Sequence, residues 1–304
     1  MKKNSFLFLA IAVSIFKTYS QDLFPVTQLT FDSEKKGFPT WSPDLESVVY
    51  SVIADNDSPG KTGLWQISIE SKSPKQIYSG MAEHPKWSPD GRFIVFDADS
   101  GKSIQMIPAK GGAPVKILPD SVVIRSGGSP CWSPDGLNIA FREGGSMSIC
   151  VINLNTRAIT RVFSGNGLVP VPGCWTKDGK HIFITLLDRQ TRKSTLWKVS
   201  GDGREKTLIT GHHEGIYRFL DLSPDGSLLV YCAMEKVEER WVSGLWVMQA
   251  DGGPSISLVG PPGFNEAPQW SPDGKTLVFS SSRSGSNLWF MEVDPEAVKL
   301  KLKK

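Results

Sequence analysis

Residues 85–96 read PKWSPDGRFIVF, and the phrase at their centre recurs along the chain. It returns as TWSPDLESVVY at 40–50, CWSPDGLNIAF at 131–141 and QWSPDGKTLVF at 269–279. Looser copies stand at 174–184, CWTKDGKHIFI, and at 221–231, DLSPDGSLLVY. The aspartates Asp44, Asp90, Asp135, Asp178, Asp225 and Asp273 mark intervals of 46, 45, 43, 47 and 48 residues. A period in the forties made of short strands signals a ring of four-stranded blades, one blade per repeat. RFIVFDA (92–98), NIAFRE (138–143) and TLVFSSS (276–282) supply such strands: short, β-branched or aromatic, and bounded by turn residues.

One copy shows how the unit is built. HPKW (84–87) is an inner strand ending in Trp87, and Pro89-Asp90-Gly91 makes the turn. There Pro fixes φ, Asp bonds nearby backbone and Gly accepts positive φ. The second strand follows, then SIQMIPA (103–109) and PVKILP (114–119) as third and fourth. Nine of the ten tryptophans fit this plan, at the ends of first strands or on third strands, where they supply apolar area between neighbouring blades. The last copy lacks a convincing fourth strand, whereas FPVTQLT (24–30) precedes every repeat and resembles one. The expected fold is therefore all-β: a six-bladed β-propeller of four-stranded antiparallel blades, with the N-terminal strand completing the last blade and removing the open edges.

Residues 1–20 are set apart from that fold. Lys2 and Lys3 precede an apolar run, Phe6 to Phe16, and Thr18-Tyr19-Ser20 offers a cleavage site, so a signal peptide is expected. The run is too short to cross a bilayer, and no second apolar stretch is long enough. The propeller is assigned to residues 21–298 and a basic tail, KLKLKK, to 299–304. The chain has 34 Lys+Arg against 31 Asp+Glu; without Lys2, Lys3 and Lys17 the balance is 31 to 31, which argues against a nucleic-acid partner. Four cysteines are too few for a disulfide scaffold. Buried free thiols are expected, with a Cys131–Cys174 bridge as the alternative. No Cys pair has metal-site spacing, and neither metal nor cofactor is expected.

The repeated WSPDG, followed by an apolar strand, a Gly-containing loop and strands carrying LW or I, resembles the WD40-like repeats of TolB-type β-propellers. The resemblance covers Phe24 to about Asp294. Two copies depart from it: Leu45 stands where Gly91 stands in the second repeat, and Thr176-Lys177 replaces Ser-Pro in the fourth, so altered turns are expected there. The resemblance implies an exported protein, periplasmic or secreted. It does not bring a catalytic domain: no G-x-S-x-G nucleophile elbow occurs.

Function must be argued from a site. The repeat turns are short and uniform and share one face. The second-to-third loops and the links between blades share the other, where variation concentrates. The fifth blade is the most elaborated, with GHHEGIYRF (211–219) and MEKVEERWV (234–242). Its His212, His213, Tyr217, Arg218 and Trp241, with Glu83, His84, Asn265 and Glu266 from other links, form the expected binding set. Arg125 lies on another link, and Asp55-Asn56-Asp57 gives only a weak calcium signal. The first expectation is a non-catalytic monomer that recognises an envelope protein, peptide or glycan at the channel mouth. The alternative is a carbohydrate-active lyase or hydrolase with a metal/histidine site in the channel, drawing on Glu83, His84, His213 and Glu266.

Overall fold

Each repeat turn is a closed circuit of hydrogen bonds. The computed structural model describes residues 22–54, 59–124, 127–209, 215–237, 239–260 and 263–303. In the second repeat the Ser88 hydroxyl donates to Asp90 Oδ1 (2.6 Å) and accepts from the Phe93 N–H (2.9 Å). Asp90 Oδ1 also accepts from the Arg92 N–H (3.0 Å), and Gly91 takes φ +71° while its N–H donates to the Ser88 carbonyl. These donors hold the Asp90 carboxylate down at a pKa of about 2, Ser88 contributing most. The expectation that the first and fourth turns are altered is not met. Leu45 adopts the glycine's conformation at φ +65°, and the Thr176 hydroxyl replaces serine, donating to Asp178 at 2.6 Å and accepting from the His181 N–H at 3.0 Å. The circuit needs a hydroxyl and a carboxylate, not a specific Ser-Pro pair.

Six four-stranded antiparallel sheets result. Blade 1 comprises Lys35–Trp41, Ser47–Ile53, Gly63–Ser68 and Pro74–Ser79. Blade 2 comprises Ala82–Trp87, Phe93–Ala98, Ser103–Pro108 and Val115–Lys116, and blade 3 Cys131–Trp132, Asn138–Glu143, Ser148–Asn153 and Ile159–Ser164. Blade 4 comprises Val169–Trp175, His181–Asp188, Lys193–Ser200 and Lys206–Ile209, and blade 5 Ile216–Leu222, Leu228–Val237, Arg240–Gln249 and Ser255–Val259. Blade 6 takes Asn265–Trp270, Thr276–Ser281 and Asn287–Glu292 from the C-terminal end and Val26–Gln28 from the N-terminal end. The inner strand of each blade packs on that of the next, and blade 6 packs on blade 1, so the ring closes.

Closure rests on more than three paired residues. Val26, Thr27 and Gln28 lie opposite Met291, Phe290 and Trp289. The Leu29 N–H donates to the Leu288 carbonyl (2.8 Å), and the Thr30 hydroxyl donates to Asn287 Oδ1 (3.0 Å) while accepting from the Leu288 N–H (3.0 Å). Leu29 and Thr30 are buried, and Asp22 forms a two-toothed ion pair with Arg283.

Apolar clusters fill the gaps between blades, so tryptophans act as spacers. Trp41 stacks on Phe290 at 5.0 Å and 15°, joining blade 1 to blade 6. Trp132 Nε1 donates to the Lys86 carbonyl (3.1 Å) and Trp175 Nε1 to the Cys131 carbonyl (3.2 Å), each reaching one blade back. Beyond the last strand, Pro295–Leu302 forms a helix capped by Asp294, which accepts from the Glu296 and Ala297 N–H groups. Val298 and Leu302 are buried against Leu228, Val247 and Leu258 of blade 5, and Lys299 pairs with Asp225 and Glu296. Of residues 299–302, assigned to a basic tail, Leu302 is thus docked, on the same side of the helix as Val298 one turn earlier, while Leu300 stays exposed. The segment assigned as a signal peptide, 1–20, lies outside the described residues.

Candidate functional site

Five of the six inner strands carry a register shift shortly before their terminal Trp or Leu. In blade 2 the register slips between Glu83 and Lys86, so His84 and Pro85 together lie opposite one residue; the same slip falls between Gly37 and Thr40, Arg218 and Asp221, and Glu266 and Gln269. In these four bulges the first residue has positive φ: Phe38 52°, His84 51°, Phe219 55° and Ala267 50°, with Ser129 at 47° in the matching place of blade 3. A bulge re-aims a side chain, and here the target is the axis of the ring. In blade 4 the equivalent residue is Pro172 and the shift falls between it and Cys174; an added Cβ at Gly173 would meet Leu220 Cβ at 2.6 Å.

Three of these side chains meet. The Phe38 ring lies 4.1 Å from that of His84 and 5.3 Å from that of Phe219, and His84 lies 6.1 Å from Phe219. Blades 1, 2 and 5 thereby touch across the axis, beside a hollow of about 40 Å³ lined by all three rings. His84 is fixed by Asp97, whose Oδ2 lies 2.8 Å from Nδ1. Asp97 is itself buried and accepts from the Gly128 N–H (2.6 Å) and the Ser129 N–H (3.0 Å) of the link into blade 3. Arg142 stands beside it, donating to the Gly127 carbonyl at 2.6 Å, and burial lowers its pKa.

The aromatic cluster lies between the loop side and the turn side of the ring. On the loop side, Glu266 has its pKa raised by burial, opposed by the adjacent Arg218 charge. Glu83 lies opposite Asp97 in the register and is half-buried. Of the expected set, His84 lines the hollow at the axis, Glu83 precedes it on the same strand, and Arg218 and Glu266 interact electrostatically. Two others are buried in the blades. Tyr217 is buried, edge-on to Tyr231 at 5.3 Å; Asn265 is fully buried, accepting from the Ser281 hydroxyl (2.7 Å) and donating to the Ser243 carbonyl (3.1 Å). Strand alternation turns Tyr217 into the blade packing while its neighbour Arg218 faces the other way. Trp241 sits on an outlying hairpin, where blade 5's middle strands run ten residues each, and Arg192 of blade 4 lies over its ring at 5.3 Å. His212, His213, Arg125 and Asp55-Asn56-Asp57 lie outside the described residues.

On the turn side, each inner strand presents the residue just before its terminal Trp or Leu: Thr40, Lys86, Cys131, Cys174, Asp221 and Gln269. Gln269 Oε1 accepts from the Trp41 N–H (2.8 Å) and Asp221 Oδ2 from the Trp270 N–H (2.8 Å), each bonding the next blade. Cys131 and Cys174 are free thiols, not a bridge; burial pushes Cys131 up to about 12 and Cys174 well above its ordinary value. Burial likewise lifts the Asp221 carboxyl to about 6, against the pull of Lys86. The carboxyl holds its proton more tightly folded than unfolded. Its contribution to stability is therefore complete below the ordinary carboxyl value of 3.8 and lost as pH rises through about 6. Asp221→Asn is expected to remove that slope, worth about 1–3 kcal/mol. Melting temperatures taken across the acid range check it, and parallel pH curves for the two proteins would refute it.

Sequence reasoning missed Phe38, Phe219 and the turn-side ring. The signal was present as Phe38-Pro39, His84-Pro85, Ser129-Pro130 and Ala267-Pro268, each at a fixed distance before Trp. A residue before proline is pushed out of the helical region, and repetition of that constraint marks a backbone device.

The architecture defines a closed six-bladed β-propeller with hollows at its axis. No protein-family model matches the chain. It is 35% identical over 114 residues to the Tol–Pal system protein TolB of Anaeromyxobacter dehalogenans, covering 31% of this chain and 25% of that one. It superposes on TolB from Acinetobacter baumannii with a TM-score of 0.60 at 19% identity, over 86% of this chain and 64% of that one. It also superposes on an oligogalacturonate lyase in complex with manganese, with a TM-score of 0.61 at 15% identity, over 92% and 96%. The chain spans 66% of the first curated relative it matches and less of the others. Repeats, ring and likenesses together support the TolB-type propeller family. Among the described residues no three His, Cys, Asp or Glu side chains group to hold an ion, and the candidate ligand His213 lies outside those residues. His84 is committed to Asp97 and two rings.

Proposed function

We propose that this chain is an exported, monomeric binding propeller of the cell envelope. It recognises a protein or peptide segment on the loop side of the axis. The observation that carries this reading is the half-buried Glu266 carboxyl beside the Arg218 charge, Arg218 being next in the chain to Phe219 of the aromatic cluster at the axis. Partly desolvated opposite charges on a rigid scaffold give orientation and selectivity to a polar chain segment. The likeness to Tol–Pal proteins and the signal-like residues 1–20 support an envelope setting.

Removing both charges together avoids stranding one of them. The Arg218→Gln/Glu266→Gln protein is expected to keep its melting temperature and to capture envelope proteins about tenfold less well than the parent. Trp241→Ala, on the outlying hairpin, serves as the comparison. Undiminished capture by the double variant, or turnover of an acidic oligosaccharide by the purified parent, would overturn the reading.

A further inference from the structure

A separate pocket lies where blade 1 packs against blade 6. Residues 32–36 carry the chain from the closing strand into the first strand of blade 1, and the Lys36 N–H donates to the Ser286 carbonyl of blade 6 (3.1 Å). Strand register sets Lys36 opposite Val52 and Tyr50 opposite Trp65, so these four side chains share one face. With Asp32, Glu34, Lys61 and Pro74 they line a hollow of about 170 Å³. It has no lining residue in common with the hollows at the axis.

One buried group on its wall is unmet. Tyr50 is 2% exposed, and among the described residues nothing bonds its hydroxyl, yet the oxygen is not one of the protein's sealed atoms and still touches solvent. Burial raises its pKa and the Asp32 and Glu34 charges raise it further, so the hydroxyl keeps its proton and is free to donate. The two carboxylates are half used. Asp32 Oδ1 accepts from the Lys36 ammonium and the Glu34 N–H, and Glu34 Oε1 from the Lys61 ammonium. Asp32 Oδ2 and Glu34 Oε2 bond nothing among the described residues. The Trp65 ring is pinned by its Nε1, which donates to the Lys61 carbonyl at 2.8 Å. The pocket thus offers a donor, two acceptors and an aromatic wall.

Charge balance selects the ligand. Each carboxylate is matched by an ammonium, so the pocket is neutral. A cation would compete with Lys36 and Lys61 for carboxylates they already hold, and an anion would meet the uncommitted carboxylate oxygens. A neutral ring carrying hydroxyls meets neither cost. The volume admits one small ring, below the about 300 Å³ at which drug-sized sites begin. We infer that this pocket is a second binding site, for a single neutral sugar ring such as the end residue of a glycan. Its hydroxyls donate to Asp32 Oδ2 and Glu34 Oε2, one of its oxygens accepts from Tyr50, and its C–H face lies against Trp65. The site shares no residue with Arg218 and Glu266, so it binds whether or not the axis holds a peptide.

The test uses the whole chain, its indole N–H resonances assigned, with the methyl glycosides of glucose, galactose and mannose as probes. At least one is expected to shift the Trp65 signal saturably, with a dissociation constant on the order of 1–10 mM, and to leave Trp241 unmoved. Tyr50→Phe is expected to weaken that response about fivefold without lowering the melting temperature, because the hydroxyl it removes has no partner. Glu34→Gln, which removes a charged acceptor, is expected to weaken it about tenfold and stands in if the first variant does not fold. The inference is overturned if none of the glycosides shifts Trp65 at about 100 mM. Binding of tetramethylammonium or acetate as tight as that of the best sugar, or parent-like binding by either folded variant, would overturn it too.

Discussion

A protein lacking residues 22–30 is expected to melt at least about 10 °C below one that retains them, and to associate on cooling. The segment supplies the outer strand of blade 6, so its loss exposes the edge at Asn287–Glu292. Leu29 and Thr30 leave buried positions, Leu23, Phe24 and Val26 leave the cluster around Met291 and Leu258, and the Asp22–Arg283 pair is broken. Deleting one buried leucine costs about 2–5 kcal/mol, and about 1 kcal/mol moves the melt by about 2–4 °C in a domain of this size. Leu29→Ala alone is thus expected to lower it by about 4–20 °C. The open edge also offers unpaired N–H and C=O groups to another copy. Thermal unfolding by circular dichroism, with light scattering alongside, measures both effects. Matching melts for the truncated and complete proteins would mean that the ring closes without its N-terminal strand.

The ring was legible because its determinants are local. A hydroxyl, a carboxylate and a residue tolerating positive φ within five positions specify the turn, and six copies set the number of blades. Even the departures at Leu45 and Thr176 preserve those requirements, which propensity alone understated. The site was less legible because it depends on register. A one-residue difference decides whether Tyr217 or Arg218 turns into the blade packing, and that difference is set by a bulge shared with the partner strand. Chemical type was a poor guide: Asn265 and Tyr217 are polar residues that serve blade packing, while Phe38 and Phe219 are apolar ones that shape the axis. The C-terminal lysines misled for a related reason, since the burial of Val298 and Leu302 becomes visible only once blade 5 is present to receive them.

Asp97→Ala is expected to cost about 3–5 kcal/mol, the largest effect of any single change at the channel. Its carboxylate bonds His84 on its own blade and two backbone N–H groups, Gly128 and Ser129, on the link to the next. Alanine leaves those two buried donors without their acceptor and takes the facing charge away from Arg142, which keeps its bond to the Gly127 carbonyl. The link cannot simply repack. A Cβ at Gly128 would come within 2.5 Å of Ile104 Cδ1, so the backbone there runs against the core of blade 2 and has no slack to find other acceptors. Asp97→Asn keeps one acceptor oxygen but turns an NH2 toward a group that donates, and about 1–3 kcal/mol is expected. The two variants separate charge from hydrogen bonding, and equal losses would assign the effect to charge. Amide exchange locates it: protection of Gly128 and Ser129 should fall in both variants while the distant Thr30–Leu288 pair stays protected. If those two amides exchange as slowly without the carboxylate, Asp97 does not anchor the link, and His84 is held at the axis by the rings of Phe38 and Phe219 alone.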